Sequence, residues 1–308
     1  MTTNAIQSSH IYSTYFAPRG RSRIYTLGMQ IAQLYLSPFD QIIGFIGEAG
    51  SGKSVLIKGM FPGIELTNDD DGVNVRPLPL LEQEYETGFF TPHTYHLDIR
   101  FETGFHQLSE LADAVRLAVR RGKRIIIEHF DLIYPLLGVN ANLLIGVGEQ
   151  IVITRPNLFG PLPQDLCEIV YPSLAYRLMA HSAEDLCEYA MTQEQMLACS
   201  HGDIRHGFVL EFNEHQPDID IPTLEARVNE LIRQDLPIDY YDESHILLGG
   251  VQHYCTGPRT HVRSTGRIIG FRLLDHFIYD HFHKTYMLVG CVGDDSEENI
   301  RKLETIHG

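Results

Sequence analysis

The stretch Gln41-Ile42-Ile43-Gly44-Phe45-Ile46-Gly47-Glu48-Ala49-Gly50-Ser51-Gly52-Lys53-Ser54-Val55-Leu56-Ile57 decides how the first half of this chain reads. It opens on a short apolar run, Gln41 to Ile46, of the length of a buried strand, and closes on Val55-Leu56-Ile57, the start of a helix. Between them stands Gly-x-x-x-x-Gly-Lys-Ser. Glycines let the backbone curl so that successive N–H groups point at a single anion. Lys53 adds a positive charge suited to β- and γ-phosphates, the Ser54 hydroxyl can ligate Mg²⁺, and the helix start contributes its positive dipole end. Strand, glycine turn, lysine and helix together predict a phosphate site made of Gly47, Glu48, Ala49, Gly50, Ser51, Gly52, Lys53 and Ser54.

Outward from this stretch, strands and helices alternate. Ile24, Leu27, Ile31, Leu34 and Tyr35 keep helical spacing until Ser37-Pro38 stops the run. Leu108, Leu111, Ala112, Val115, Ala118 and Val119 form a second apolar stripe ended by Gly122, a C-cap glycine, with a strand from Arg124 to Ile127 directly after it. Another apolar segment covers Ile151 to Thr154. Such alternation predicts an α/β domain, a parallel sheet with helices on both faces. Over residues 41–155 the chain resembles the P-loop NTPases. Ile125-Ile126-Ile127-Glu128 resembles their second (Walker B) motif, with Asp131 a weaker substitute, and the resemblance implies ATP or GTP and Mg²⁺ as ligands. Asn68-Asp69-Asp70-Asp71-Gly72 follows a short expected strand, Ile64 to Leu66. In small-molecule kinases of this class an Asp at such a place acts as base or magnesium partner, so Lys53, Glu128 and Asp70 are the catalytic candidates. A solvated turn explains the same acids equally well. Arg76, Arg100 and Arg155 are candidates for clamping phosphate, and Thr91 to Asp98 alternates like an unusually polar strand suited to lining a substrate pocket.

Composition sets the outer limits. With 308 residues, 44% hydrophobic and 21% charged, the chain is globular in kind. It is long enough to bury roughly 75% of its unfolded surface in two modest cores. The net charge is −16, which weighs against nucleic-acid binding over the whole surface. No apolar run approaches the ~18 residues of a membrane span. The N-terminal MTTNAIQSSH lacks the marks of a signal peptide, and the five cysteines contain no Cys-x-x-Cys pair. These features read as a cytoplasmic protein of two domains, with no membrane partner and reduced thiols. The Pro-rich seam at 156–173 places the domains at 1–172 and 173–308, with net charges of −5 and −11 and with 5 and 11 of the 16 histidines.

The second half carries Cys255-Thr256-Gly257-Pro258-Arg259-Thr260-His261-Val262, then Thr265-Gly266-Arg267-Ile268 and Phe271-Arg272-Leu273. This resembles the second additional domain of threonyl- and alanyl-tRNA synthetases and the free-standing alanyl-tRNA editing proteins. Leu224 to Ile232 and His206 to Phe212 look like that family's upstream helix and strand. The resemblance covers about 175–290 and implies an α+β synthetase editing-like domain. It also implies zinc held by a helical His-x-x-x-His with a later Cys and His. Here the helix reads His181-Ser182-Ala183-Glu184-Asp185, with Asp at the second position, and the Cys-to-His spacing is two residues longer. Residues i and i+4 share a helix face and Asp can ligate zinc, so His181, Asp185, Cys255 and His261 are the candidate Zn²⁺ ligands. A retained fold whose hydrolytic site has drifted is the competing reading. His201, His206, His245 and His253 could complete an altered site, and His281 and His283 fall on an expected strand with no role.

No acid occurs between Glu243 and Asp275, whereas Arg259, Arg263, Arg267 and Arg272 all do. Four positive charges around the motif suit a small anionic or amino-acid-type ligand better than a whole tRNA, although structural ion pairs account for them as well. Three functions stand on these residues. The first is an ATP-dependent phosphotransferase or ATPase whose second domain recognises an amino-acid or aminoacyl-type ligand. The second is a metal-dependent trans-editing hydrolase of mischarged aminoacyl-tRNA. The third is a nucleotide-sensing regulator without turnover.

Overall fold

The computed structural model describes residues 12–66, 80, 93–213 and 215–307. It divides into two compact units, the first of residues 1–17 and 21–172 and the second of residues 18–20 and 173–308.

The first unit runs β1 (Ser13–Phe16), α1 (Arg21–Tyr35), β2 (Ile42–Ile46), α2 (Lys53–Met60), β3 (Thr94–Asp98), α3 (Ile99–Glu102), α4 (Leu108–Arg120), β4 (Arg124–Glu128), α5 (Phe130–Leu137), β5 (Leu143–Val147) and β6 (Gln150–Thr154). Its six strands lie in the order β1-β6-β5-β2-β4-β3. The four strands β5, β2, β4 and β3 pair in parallel, but β6 runs antiparallel to β5 and β1 antiparallel to β6. The expected all-parallel sheet is therefore corrected to a mixed one. The cause is local: only Gly148 and Glu149 separate β5 from β6, a link that closes a hairpin and cannot hold a crossover.

Strand parity builds the two faces. In β2, Ile43 and Phe45 join Ile24 and Ile31 of α1 and Leu56, Ile57 and Met60 of α2. Ile42 and Ile46 point the other way, toward Leu111 and Val115 of α4 and Phe130 and Ile133 of α5. All five residues of β2 are buried, as a central strand covered on both faces requires. Two glycines set the approach of α1 to α2. A Cβ on Gly28 would lie 2.5 Å from the Leu56 carbonyl oxygen, and one on Gly59 would lie 2.2 Å from that of Tyr25. Gly122 ends α4 as expected, at φ 76°, with Lys123 N–H donating back to Ala118 O. Ile64 to Leu66, expected as a strand, forms none. Phe61-Pro62-Gly63-Ile64 is a turn closed by Ile64 N–H to Phe61 O, and Ile64 and Leu66 are spent packing against the core.

Helix α6 (Pro163–Ala190) begins in the first unit and ends in the second, with Pro172 inside it. The second unit continues with α7 (Gln193–Ala198), β7 (Cys199–Ile204), β8 (Gly207–Asn213), α8 (Ile221–Arg233), β9 (Ile238–Asp242), β10 (His245–Leu248), β11 (Val251–Tyr254), β12 (Arg272–Leu273), β13 (Ile278–Asp280), β14 (Thr285–Cys291) and α9 (Ser296–His307). All its strand pairs are antiparallel. One sheet is ordered β12-β14-β8-β7 with β13 also on β14, and the other is β11-β10-β9. In β8, Phe208, Leu210 and Phe212 face Ala183, Leu186 and Cys187 of α6 and Leu224 and Val228 of α8. Val209 faces the opposite side, with Ile300 and Leu303 of α9 packed against its cluster. This is an α+β unit. His281 and His283, expected on a strand, lie in the turn between β13 and β14, where Asp280 accepts from His283 Nδ1 at 2.7 Å. Among the described residues no helix is long and apolar enough to cross a membrane.

Candidate functional site

In the first unit the loop 47–52 joins the C-terminal end of β2 to the N-terminus of α2. Gly47, Gly50 and Gly52 have φ of 156°, 80° and 91°, and Gly52 is the N-cap of α2 in the left-handed region that favours glycine. Space matters at Gly47 as well, where a Cβ would come within 2.5 Å of Val147 O. The Lys53 ammonium is buried against the loop and donates to the carbonyls of Gly47 and Glu48 at 2.9 Å each. It also lies 3.7 Å from Glu128 Oε2. The Ser54 hydroxyl donates to Glu128 Oε1 at 3.2 Å. Glycine turn, lysine, hydroxyl and carboxylate thus meet at one end of the sheet. Burial lowers the Lys53 pKa below the ordinary lysine value, against the pull of Glu128 and Asp98.

The carboxylates are supplied by register. Asp98 and Glu128 are direct partners at the C-terminal ends of the parallel strands β3 and β4. Burial raises Glu128, but the His96 Nε2 contact at 3.1 Å and the Lys53 charge outweigh it and hold the group below the usual carboxylate range. Asp98 goes the other way: burial first, and then the neighbouring Glu128 charge, raise its pKa although it caps α3 by accepting from Phe101 N–H. Two adjacent carboxylates with pKa values pushed apart are suited to distinct charge and proton-transfer roles. Sequence reading marked the 91–98 stretch as a pocket wall without singling out His96 or Asp98. The signal was their alternation with buried Tyr95 and Leu97. Next to Glu128, His129 has φ 56°, a costly conformation for a residue with a Cβ, and its buried Nδ1 has no hydrogen-bond partner among the described residues. Burial, followed by Lys53 and Arg100, brings its pKa down to about 4.

The other candidates of this unit fall as follows. Arg100 reaches the loop and donates to Glu48 at 3.0 Å. Arg155 is spent on Asp40, at 2.7 and 2.8 Å, and on the Tyr35 carbonyl. Asp131 is half-buried and accepts from Tyr171. Asp70 and Arg76 lie outside the described residues. The donors near Lys53 fit a magnesium nucleotide: the Ser54 hydroxyl and Glu128 carboxylate are hard oxygen ligands that already converge.

In the second unit, Cys255, His261 and Asp185 converge. His261 Nε2 lies 2.6 Å from Asp185 Oδ2 and 3.7 Å from Cys255 Sγ. His181, on the same helix as Asp185, does not join them; its Nε2 faces Asp203 Oδ1 at 3.6 Å. Burial lowers the His181 pKa to about 3. The centre of the cluster is held by Arg19, which the sequence had not marked. The buried Arg19 guanidinium pairs with Glu184 and Asp185 and donates to Cys255 Sγ at 3.1 Å. Donor atoms of Asp185, Cys255 and His261 lie within 4.8 Å of one another, a spacing that could hold a metal ion, but His181 is turned to Asp203 and Arg19 pairs with Asp185 and bonds Cys255, so the four expected ligands do not meet around one open position.

Of the four motif arginines, Arg259 lies 3.9 Å from Glu243 and stacks over Tyr240, and Arg272 lies 3.6 Å from Glu225. Two of the four arginines therefore stand beside local acids. No protein-family model and no curated protein matches this chain.

Proposed function

We propose that the first unit is a P-loop nucleotide site and that the chain is an ATP-dependent phosphotransferase or ATPase. One observation carries this reading: the buried Lys53 ammonium, anchored on two loop carbonyls, stands beside Glu128, which also accepts the Ser54 hydroxyl. A lysine desolvated in this way is ready to exchange carbonyl contacts for phosphate oxygens. Ser54 and Glu128 would hold Mg²⁺, which when bound neutralises charge on the β- and γ-phosphates. Asp98 takes the proton-transfer role that the sequence offered to Asp70. The acceptor hydroxyl or water gives its proton to the Asp98 carboxylate, its oxygen bonds the γ-phosphorus, and the bond from that phosphorus to the bridging oxygen breaks to release the nucleoside diphosphate.

The second unit recognises, in this reading, an amino-acid or aminoacyl-type ligand, on the strength of the motif at 255–273. The trans-editing alternative needs an open cation among His181, Asp185, Cys255 and His261, and the Arg19 pairing argues against it. Incubation with γ-labelled ATP or GTP and a panel of amino acids and nucleosides tests the proposal. Label is expected in a metabolite or in phosphate; nucleotide bound but unchanged would instead favour the sensing regulator.

A further inference from the structure

A second group of donors lies on the same helix one turn beyond Asp185. Glu188 of α6 faces Cys199 and His201, which alternate on β7 and so present their side chains to one face of that strand. Donor atoms of Glu188, Cys199 and His201 lie within 4.8 Å of one another, and those of Asp185, Glu188 and His253 do the same. Glu188 Oε1 is 3.8 Å from Cys199 Sγ and is paired with His201 Nε2. Glu188 Oε2 is 3.9 Å from His253 Nε2 of β11. Glu188 and His253 are buried, at 6% and 8% exposure, and His253 Nε2 has no hydrogen-bond partner among the described residues. An orphaned imidazole nitrogen aimed at a buried carboxylate is a group lacking the cation or donor it is built for.

We propose that this unit binds a zinc-like divalent cation at Glu188, Cys199 and His201, and not at the Arg19-filled cluster. One thiolate, one imidazole and one carboxylate make a three-ligand set that zinc accepts, with water completing the tetrahedron. Ligand distances of about 2.0–2.3 Å in a tetrahedron separate donor atoms by about 3.3–3.8 Å, close to the 3.8 Å spacing of Glu188 Oε1 with Cys199 Sγ. Opening the Glu188–His201 pair admits the ion, and the Cys199 thiol proton leaves to solvent as the Zn–S bond forms. The Arg19 guanidinium hydrogen-bonds Glu184, Asp185 and Cys255, and its charge also reaches Glu188. The bound ion would tie α6 to β7. This site is independent of the nucleotide reading of the first unit.

The test is metal content of the full chain after equilibration with Zn²⁺ and gel filtration, together with the absorption spectrum of the Co²⁺ form. About one ion per chain and a thiolate-to-cobalt charge-transfer band are expected. Both should be lost in Cys199→Ser and reduced in His201→Gln, and both should persist in Cys255→Ser and His261→Gln. A wild-type chain that retains no metal overturns the proposal, as does a cobalt band that disappears with Cys255→Ser. Should Cys199→Ser fail to fold, the wild-type and Cys255→Ser spectra still decide between the two clusters.

Discussion

The Glu128 carboxylate stands between Lys53 and Ser54, 3.7 Å from the ammonium and 3.2 Å from the hydroxyl. Glu128→Gln keeps the shape and removes the charge. Turnover at saturating magnesium should fall on the order of 100-fold, the scale for losing one preorganised electrostatic partner. Nucleotide binding without magnesium should not weaken, because a negative charge near the phosphates is gone. Steady-state kinetics with a metal-free binding titration checks both halves; equal losses in the two would contradict the assignment.

Asp98 is set apart from Glu128 by its raised pKa. Asp98→Asn should reduce phosphoryl transfer or hydrolysis by about 100-fold, the range for removing a general base, with nucleotide affinity retained. Single-turnover rates and equilibrium dialysis make the comparison. Unchanged turnover would remove Asp98 from the reaction.

Arg19 is 2% exposed and holds two buried carboxylates, Glu184 and Asp185. Arg19→Ala strands those charges and should cost about 3–5 kcal/mol of stability in the second unit. Arg19→Lys should recover part of the loss. Denaturant unfolding measures this, and a loss below about 1 kcal/mol would mean the pairing is not structural.

His181 is buried with a pKa near 3, against 6.5 for the free side chain. The folded state keeps it neutral while the unfolded chain takes up a proton below pH 6.5. The stability it confers is therefore present above 6.5 and is lost as the pH falls from 6.5 toward 3. Between pH 7.5 and 5.5 the wild type should lose about 1.4 kcal/mol more than His181→Gln. His129 acts in the same direction in the first unit, whereas Asp98 and Glu184, raised by burial, act oppositely. The difference between variant and wild type isolates His181, and parallel pH profiles would contradict its neutral burial.

Gly47 to Ser54 was legible because its chemistry is contiguous: eight neighbouring residues carry turn, charge and hydroxyl. Glu128 was legible because three isoleucines led to it. Asp98 needed register, since its neighbour Glu128 belongs to another strand. Strand β5, Leu143–Val147, was missed because its hairpin link to β6 is two residues long and the two apolar runs blur together. Arg19 was illegible for a different reason. Its partners Glu184 and Asp185 lie 165 and 166 positions away, and nothing in Pro18-Arg19-Gly20 reveals them. The Cys255 and His261 pair was readable from its motif, but Arg19, which bonds Cys255 and pairs with Asp185, came from the opposite end of the sequence.

Release or transfer of the γ-phosphate by wild type and by Lys53→Ala, under identical magnesium and nucleotide, tests the central claim most directly. Lys53 touches the loop carbonyls and Glu128 and serves no other element in this account. Turnover by the wild type and its loss by at least about 100-fold in Lys53→Ala is the predicted result. Turnover that survives Lys53→Ala would contradict it.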